Sequence, residues 1–237
     1  MIYITGDTHS DFTRVIEFCH HRRTTPDDIL IILGDAGINY YANERDRHLK
    51  KQLSALPITL FCLHGNHERR PQTLPDYREA EWHGGKVFIE DEFPNLIFAR
   101  DGEIFTLGGA SCIVIGGAYS VDKYFRLHYG WHWFDDEQPD AAIKARVEAQ
   151  LARLNHQVEV VLSHTCPLKY VPVEVFIPGI DQSRVDKSTE QWLDTIEDRL
   201  TYRKWYCAHF HTEKKIDKLQ ILFRNIEEFT GAIPDFL

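Results

Sequence analysis

Short apolar runs alternate with longer polar stretches along the first third of the chain. The apolar runs, at residues 2–5, 29–33 and 58–63, have the length of β-strands and are hydrophobic throughout. The stretches between them, 11–22 and 43–56, are compatible with helices. Strands without an apolar–polar alternation are typical of strands buried on both faces. Their alternation with helices predicts a parallel sheet with right-handed crossovers.

The middle of the chain has a different pattern. Four strand-like segments follow one another with Gly, Pro or Asn breaks, at residues 87–90, 96–99, 103–107 and 111–116. Short segments joined in this way are typical of antiparallel strands.

The last third returns to the alternating pattern. A helix is predicted over 140–155, and a second begins at Ser188, where Ser188-x-x-Gln191 forms a capping-box signature. Strands are predicted at 158–163 and 204–207. A charged hairpin at 214–219 leads into a final apolar segment at 221–223.

No change of composition or low-complexity linker divides the chain, so we expect a single domain over residues 1–237 with two packed mixed sheets. Two long segments do not fit the predicted core. Residues 119–139 carry seven aromatic side chains among charges, and residues 165–187 contain Pro167, Pro172 and Pro178. Loops of this length in a compact domain are usually functional or mobile. We interpret 119–139 as a lid or insertion, with a hydrophobic flap on the sheet edge as the alternative.

Composition excludes some functions. A net charge of −9 argues against a protein that binds nucleic acid or anionic membranes nonspecifically, because both kinds of binding need a basic surface. No apolar run reaches the ~18 residues of a membrane span, and the N-terminus lacks the pattern of a signal peptide. The five cysteines form no CxxC pair, which favours a reducing compartment. We therefore expect a cytoplasmic protein. The chain is unusually rich in histidine, with 13 residues of this type.

Acid, amide and imidazole side chains follow the carboxyl ends of five predicted strands. The segments are Gly6-Asp7-Thr8-His9, Gly34-Asp35, Gly65-Asn66-His67-Glu68, Ser163-His164 and Ala208-His209-Phe210-His211. Any one of them alone is an ordinary turn or a surface histidine. Five in one chain predict a binding site, because open α/β sheets bind ligands at this edge.

The residue types at these strand ends favour a metal site. Asp7 and His9 are two residues apart, as are His209 and His211, so in an extended segment each pair projects to one side. Carboxylate oxygen together with imidazole nitrogen suits Mn, Fe or Zn better than Ca or Mg. Seven candidate ligands are too many for one ion and enough for two if one carboxylate bridges. They are Asp7, His9, Asp35, Asn66, His164, His209 and His211.

The order and spacing of these motifs resemble the calcineurin-like metallophosphoesterase superfamily over residues 6–211. The resemblance implies a four-layer α/β sandwich of two mixed β-sheets flanked by helices, with two divalent metal ions where the strands end. Manganese is the first choice, and iron and zinc are alternatives. Asp7, His9, Asp35 and His211 would hold one metal, while Asp35 as the bridge, Asn66, His164 and His209 would hold the other. His67 would be the catalytic imidazole.

Two positions depart from the superfamily pattern. Ile38 stands where many members have an acid that orients the catalytic histidine, and Asn39, Asp46 or Glu68 are possible substitutes. Such partners set the tautomer and basicity of a histidine. Ala208 replaces a common Gly, a one-methyl change that we expect to be tolerated.

The resemblance implies a phosphoesterase that acts on a phosphomonoester or a small phosphodiester. Two cations would clamp the phosphate and lower the pKa of a bridging water towards ~7, so that the hydroxide attacks phosphorus. His67 would protonate the leaving oxygen. A nuclease is disfavoured by the charge.

Substrate contacts are predicted from the cations nearest the motifs. These are Arg69, Arg70, Lys123 and Arg126. The alternative for each is a solvated or packing side chain. The alternative function is a non-catalytic module of the same fold that binds a protein partner, although such a module would be expected to lose ligands and none is lost here.

Overall fold

The structure, a computed structural model, describes residues 1–176 and 182–231. Pro178, part of the predicted 165–187 loop, lies outside these ranges. The described residues form thirteen strands. They are β1 Ile2–Thr5, β2 Ile29–Ile32, β3 Thr59–Cys62, β4 Arg78–Trp82, β5 Gly85–Ile89, β6 Leu96–Ala99, β7 Ile104–Leu107, β8 Ala110–Ile115, β9 Val160–Ser163, β10 Lys204–Cys207, β11 Lys214–Ile216, β12 Leu219–Ile221 and β13 Glu227–Glu228.

Five α-helices accompany these strands in the described ranges. They are α1 Thr13–Arg22, α2 Glu44–Ser54, α3 Lys123–His128, α4 Ala141–Arg153 and α5 Ser188–Glu197. None of these helices combines the length and apolarity that a bilayer span requires.

The strands pair into two mixed sheets. The first has seven strands in the order β13-β1-β2-β3-β6-β5-β4, and the second has six in the order β11-β12-β10-β9-β8-β7. The β1, β2, β3 and β6 strands run parallel, as do β8, β9, β10 and β12. Each sheet therefore has a parallel centre whose carboxyl ends lie at one edge.

Continuous hydrophobicity in the central strands has the predicted cause, since both faces are buried. Ile31 faces the core between the sheets, whereas its neighbours Leu30 and Ile32 pack with α1 and α2. On the second sheet, Val161 packs with α4 and α5, and Leu162 faces the inter-sheet core. The layers are thus helices, sheet, sheet and helices. This arrangement confirms the four-layer α/β sandwich.

The antiparallel prediction for the middle of the chain is only partly right. β5 and β6 pair antiparallel, as do β7 and β8. However, β6 also pairs in parallel with β3, and β8 pairs in parallel with β9. The middle segments are divided between the two sheets because each hairpin adds its second strand to a parallel centre.

Two local features differ from the sequence prediction. Strand β4 is an edge strand with exposed Arg78, Glu79 and Glu81, so its apolar signal is limited to Ala80 and Trp82. Helix α5 begins at Ser188 as predicted, but the capping box is wrong. The backbone N–H of Ser188 donates to Asp186 Oδ1 at 2.8 Å, and the Ser188 hydroxyl is directed to Gln138.

The 119–139 segment is partly ordered by a short helix that the sequence pattern does not reveal. Its buried members are Tyr119, Ser120, Arg126, Phe134, Glu137 and Pro139, whereas most of its other aromatic side chains are exposed. The charged residues and aromatic residues of α3 have no clear helical periodicity. The segment is therefore anchored at a few positions and open to solvent at the others.

A buried ion pair ties α2 to the first sheet. Lys50 Nζ contacts Glu90 Oε1, and both residues are more than nine-tenths buried. We expect Lys50→Met to lower the free energy of unfolding by about 3 kcal/mol, because it leaves Glu90 buried and unpaired. Adding Glu90→Gln should recover most of that loss, as measured by urea denaturation.

The matched control for this cycle is the pair of Arg47, on the same helix, and Glu92, in the loop between β5 and β6. Both side chains are half-exposed, and their charged groups are 2.7 Å apart. Arg47→Met should cost less than about 1 kcal/mol. Equal losses for Lys50→Met and Arg47→Met would contradict the assignment of α2 docking to the buried pair.

Candidate metal centre

The predicted ligands meet at the shared edge of the two sheets. Asp7, Asp35 and Asn66 follow β1, β2 and β3, and His164 and His209 follow β9 and β10. Because these strands are parallel within each sheet and the sheets pack face to face, their carboxyl ends bring all five loops together. The topology therefore assembles residues that are about 200 positions apart in the sequence, such as Asp7 and His209.

Glycine is required where these loops touch. A Cβ on Gly65 would lie 2.0 Å from Asp35 Oδ1, and a Cβ on Gly34 would lie 2.3 Å from His164 Nδ1. No side chain fits at such distances, so Gly34 and Gly65 allow the loops to approach. The glycines that precede Asp35 and Asn66 in the sequence are therefore required for steric reasons.

Four of the candidate ligands have a left-handed backbone. The φ angles are 46° at His9, 50° at Asp35, 69° at His209 and 50° at His211. Such conformations are uncommon for residues other than glycine and are found preferentially at functional sites. By contrast, Ala208 is buried in the inter-sheet core and is not among the residues with positive φ, so a methyl group is accommodated there.

A first set of donor atoms is formed by Asp7, His9, Asp35 and His211. Asp7 Oδ2 lies 3.0 Å from His211 Nε2 and 3.6 Å from His9 Nε2. The two histidine Nε2 atoms are 2.9 Å apart, and Asp35 Oδ2 lies 3.8 Å from His9 Nε2. Asp7, His9 and His211 alone form a group that could hold a metal ion.

A second set of donor atoms is formed by Asp35, Asn66 and His164, and His209 lies beside it. His164 Nε2 lies 2.9 Å from Asn66 Oδ1 and 3.6 Å from Asp35 Oδ2. The ring centroid of His209 is 5.0 Å from that of His164. Asp35 Oδ2 is therefore within 4 Å of an imidazole of each set.

Hydrogen bonds direct the free lone pairs into the centre. His164 Nδ1 lies 2.7 Å from the carbonyl oxygen of Leu33, which makes Nδ1 the donor and leaves Nε2 as a ligand atom. The Asn66 amide donates to Ser120 Oγ at 3.0 Å, so its oxygen faces His164. Asp7 Oδ2 is buried without a well-formed hydrogen bond to any of the described residues.

This donor set fits divalent metal ions. Lone-pair atoms such as His9 Nε2 and His211 Nε2 converge to 2.9 Å, a contact that needs a proton or a cation. Nitrogen and carboxylate oxygen ligands together suit transition metals.

The electrostatics of the centre differ between its members. Burial alone would raise the pKa of Asp7, but contacts with His211 and His9 hold it below its usual value. The pKa of Asp35 is also lowered, against burial, by His164 and His67. Burial opposes protonation of His9, yet Asp7 and Asp35 raise its pKa to about 9. Burial and His164 lower the pKa of His209 to about 3.

His67 lies at the edge of this cluster. Its backbone N–H donates to Asp35 Oδ1 at 2.7 Å, and its ring is 5.1 Å from that of His9. The side chain is 27% exposed. Burial and Arg126 lower the pKa of His67 in the protein without ligands, against the effect of Asp35 and Asp122.

The polar residues proposed to replace an acid at Ile38 are engaged elsewhere. Glu68 accepts backbone N–H groups of Gly37 and Gly65. Asp46 accepts those of Tyr41 and Ala42. Asn39 Oδ1 accepts the hydroxyl of Tyr77 at 2.9 Å. These contacts support the loops of the site and are not directed to His67.

The four predicted substrate cations have different surroundings. The buried Arg126 guanidinium donates to Ser120 Oγ at 3.2 Å. Arg69 lies 5.3 Å from the ring centroid of Phe134, and Lys123 Nζ is 3.8 Å from that of Trp133. Arg70 is buried and paired with Asp101, with a further bond to the Asp136 carbonyl oxygen at 2.8 Å.

Two residues of the site had no sequence signal. Ser120 fixes the Asn66 amide, and Asp122 Oδ1 lies 3.9 Å from His67 Nε2. Both belong to the 119–139 segment, which no motif marks. In the sequence, a functional role of this segment was indicated only by its length and by the lack of the hydrophobic pattern of a core element.

Comparison with solved structures finds proteins of similar size and low sequence identity. TT1561 of Thermus thermophilus is 13% identical, with a TM-score of 0.49 and coverage of 95% of this chain and 96% of that one. The phosphopantetheinyl hydrolase of Mycobacterium tuberculosis is 16% identical, with a TM-score of 0.45 and coverage of 94% and 87%. A search of curated proteins gave no significant match.

The family comparison covers nearly all of the site. The calcineurin-like phosphoesterase model matches residues 1–213, a range that begins before Asp7 and ends after His211. With the two mixed sheets and the cluster at their shared edge, this match shows that the chain belongs to the calcineurin-like phosphoesterase family.

Proposed function

We propose that the chain is a dinuclear metal-dependent phosphoesterase that hydrolyses a phosphomonoester or a small phosphodiester. The observation that carries this proposal is the position of Asp35, whose carboxylate lies between two sets of ligand atoms. Asp7, His9, Asp35 and His211 would hold one cation, and Asp35, Asn66, His164 and His209 the other. Manganese is our choice for the tests, since the donors are oxygen and nitrogen.

Two bound cations would clamp the phosphate and lower the pKa of a water between them. His67 is placed to give a proton to the leaving oxygen, because its ring lies beside this cluster with a partly exposed edge. Its lowered pKa makes the free imidazole neutral near pH 7. The negative charge of a bound phosphate would favour the protonated form.

Arg126 is the best supported substrate contact. Its side chain is buried, yet Nε and Nη2 have no hydrogen-bond partner among the described residues. The rings of Tyr40 and Phe134 flank the guanidinium at 5.8 Å. A phosphate oxygen would satisfy the free donors with charge-assisted hydrogen bonds.

The other three predicted cations are weaker candidates for a contact with the substrate. Arg69 Nε is buried without a partner in the described part of the chain, so Arg69 is a second candidate for a phosphate oxygen. Lys123 is engaged with Trp133, and Arg70 with Asp101. Arg70 Nη2 also lacks a partner in the described residues, but Asp101 and the Asp136 carbonyl oxygen already hold this guanidinium. We therefore place Arg126 and Arg69 before Lys123 and Arg70.

The proposal predicts that Asp35→Asn removes activity by removing metal. The amide keeps the shape but loses the charge that both sets share. We expect the manganese content to fall from two ions to one or none. Hydrolysis of p-nitrophenyl phosphate and its bis-ester should fall by about 100-fold or more. Metal analysis and a colorimetric assay measure the two effects.

The control is Asp27→Asn, a change at an exposed acid outside the site, which should leave both values unchanged. If the wild-type protein binds two manganese ions and hydrolyses no phosphate ester across a panel, the enzyme proposal fails. A partner-binding module would then be the better description.

Metal binding should release a proton from His9. Because the pKa of His9 is about 9 in the metal-free protein, the imidazole is protonated at pH 7 and must lose this proton to become a ligand. Protons therefore compete with the metal, and affinity should weaken as the pH falls from 9 to 6. Titration calorimetry at pH 7 in buffers of different ionisation enthalpy counts the protons released.

The His9→Gln variant provides the control for this count, since glutamine binds no proton. It should release fewer protons for each metal bound than the wild type. Equal proton release by the two proteins would contradict the assignment to His9.

A further inference from the structure

Asp122 occupies an unusual position between two cationic groups. It immediately precedes α3, and its Oδ1 atom lies 3.9 Å from His67 Nε2 and 3.9 Å from Arg126 Nη1. That oxygen is buried and has no hydrogen-bond partner in the described residues. An acceptor in such a position has an unfilled capacity for one donor.

No other carboxylate in the described ranges reaches the His67 ring within 4.0 Å. Asp35 is bound to the backbone N–H of His67 instead. Ile38 is fully buried in the apolar cluster beneath α1 and α2. The polar partner of this imidazole thus comes from the 119–139 segment.

We propose that Asp122 is the positioning residue of His67 in the phosphate-ester hydrolysis proposed above, on which this inference rests. Its carboxylate accepts the N–H of His67 Nε2. The contact fixes the orientation of the ring and favours its doubly protonated form, in which Nε2–H is bonded to Asp122 and Nδ1–H is the proton available to the leaving oxygen. Since 3.9 Å exceeds a hydrogen bond, the half-exposed Asp122 side chain closes the remaining distance of about 1 Å by rotation.

A chain of polar contacts leads from the Asn66 amide to Asp122. Ser120 Oγ receives the Asn66 amide at 3.0 Å and the Arg126 guanidinium at 3.2 Å. Arg126 in turn faces Asp122 one helical turn earlier. One end of this network is a predicted metal ligand and the other is the predicted proton donor. The segment therefore sets the position of His67 relative to the metal centre.

The experiment compares Asp122→Ala, Asp122→Glu, His67→Gln and the Asp122→Ala/His67→Gln double variant in manganese-loaded protein. Asp135→Ala is the matched control, because Asp135 is an exposed acid of the same segment. Each protein is assayed with phenyl phosphate, whose leaving phenol has a pKa of about 10, and with p-nitrophenyl phosphate, whose leaving group needs less protonation.

Asp122→Ala should lower kcat for phenyl phosphate by about 10–100-fold with little change in KM, and affect p-nitrophenyl phosphate less. Asp122→Glu should restore part of the loss. The double variant should match His67→Gln alone, because both changes remove one function. Activity equal to that of Asp135→Ala, or losses that multiply in the double variant, would overturn the inference.

A second measurement is independent of activity. In zinc-loaded protein with 15N-labelled histidine, Asp122→Ala should shift the His67 ring nitrogens, whereas Asp135→Ala should not. An unchanged His67 signal in Asp122→Ala overturns the inference even if the enzyme is active. If the loaded wild type hydrolyses neither ester, the proposed function fails, and the NMR result still decides the contact.

Discussion

The Asp35 carboxylate is the contact on which the centre depends. One oxygen accepts the His67 backbone N–H, and the other lies between imidazoles that come from opposite sheets. The close approach requires Gly65, where any side chain would meet Asp35. Charge, backbone and steric constraints thus coincide at a single residue. A buried carboxylate in this position is tolerated because cationic or hydrogen-bonding groups surround it.

Much of the architecture could be predicted because the central strands are apolar on both faces. The strand ends then indicated where chemistry lies, since Asp7, Asp35 and Asn66 each follow such a strand. The edge strand β4 could not be found, because its exposed charges look like a loop. The pairing of β6 with β3 is a long-range contact that the local hydrophobic pattern does not indicate. The N-terminus of α5 was located correctly, but its capping partner is Asp186.

Only those residues of the site that belong to the sequence motifs could be predicted. The relation of Ser120 to Asn66 and of Asp122 to His67 spans more than fifty positions, and neither residue type is distinctive. The sequence around Ile38 indicated Asn39, Asp46 and Glu68 as partners of His67, because they lie near the motifs. Those residues support the loops that carry the ligands. A segment that interrupts the core pattern therefore contributes polar contacts that a compact core has no room to supply.

The wide separation of the ligands along the chain has a consequence for biosynthesis. Asp7 and His9 are made before their partners His209 and His211, which follow about two hundred positions later. Domains generally fold as units during synthesis. The ligand set therefore stays incomplete until β10 and the residues after it have emerged. The nascent chain must therefore carry the acidic residues of this edge unmatched until about two hundred further residues have been made.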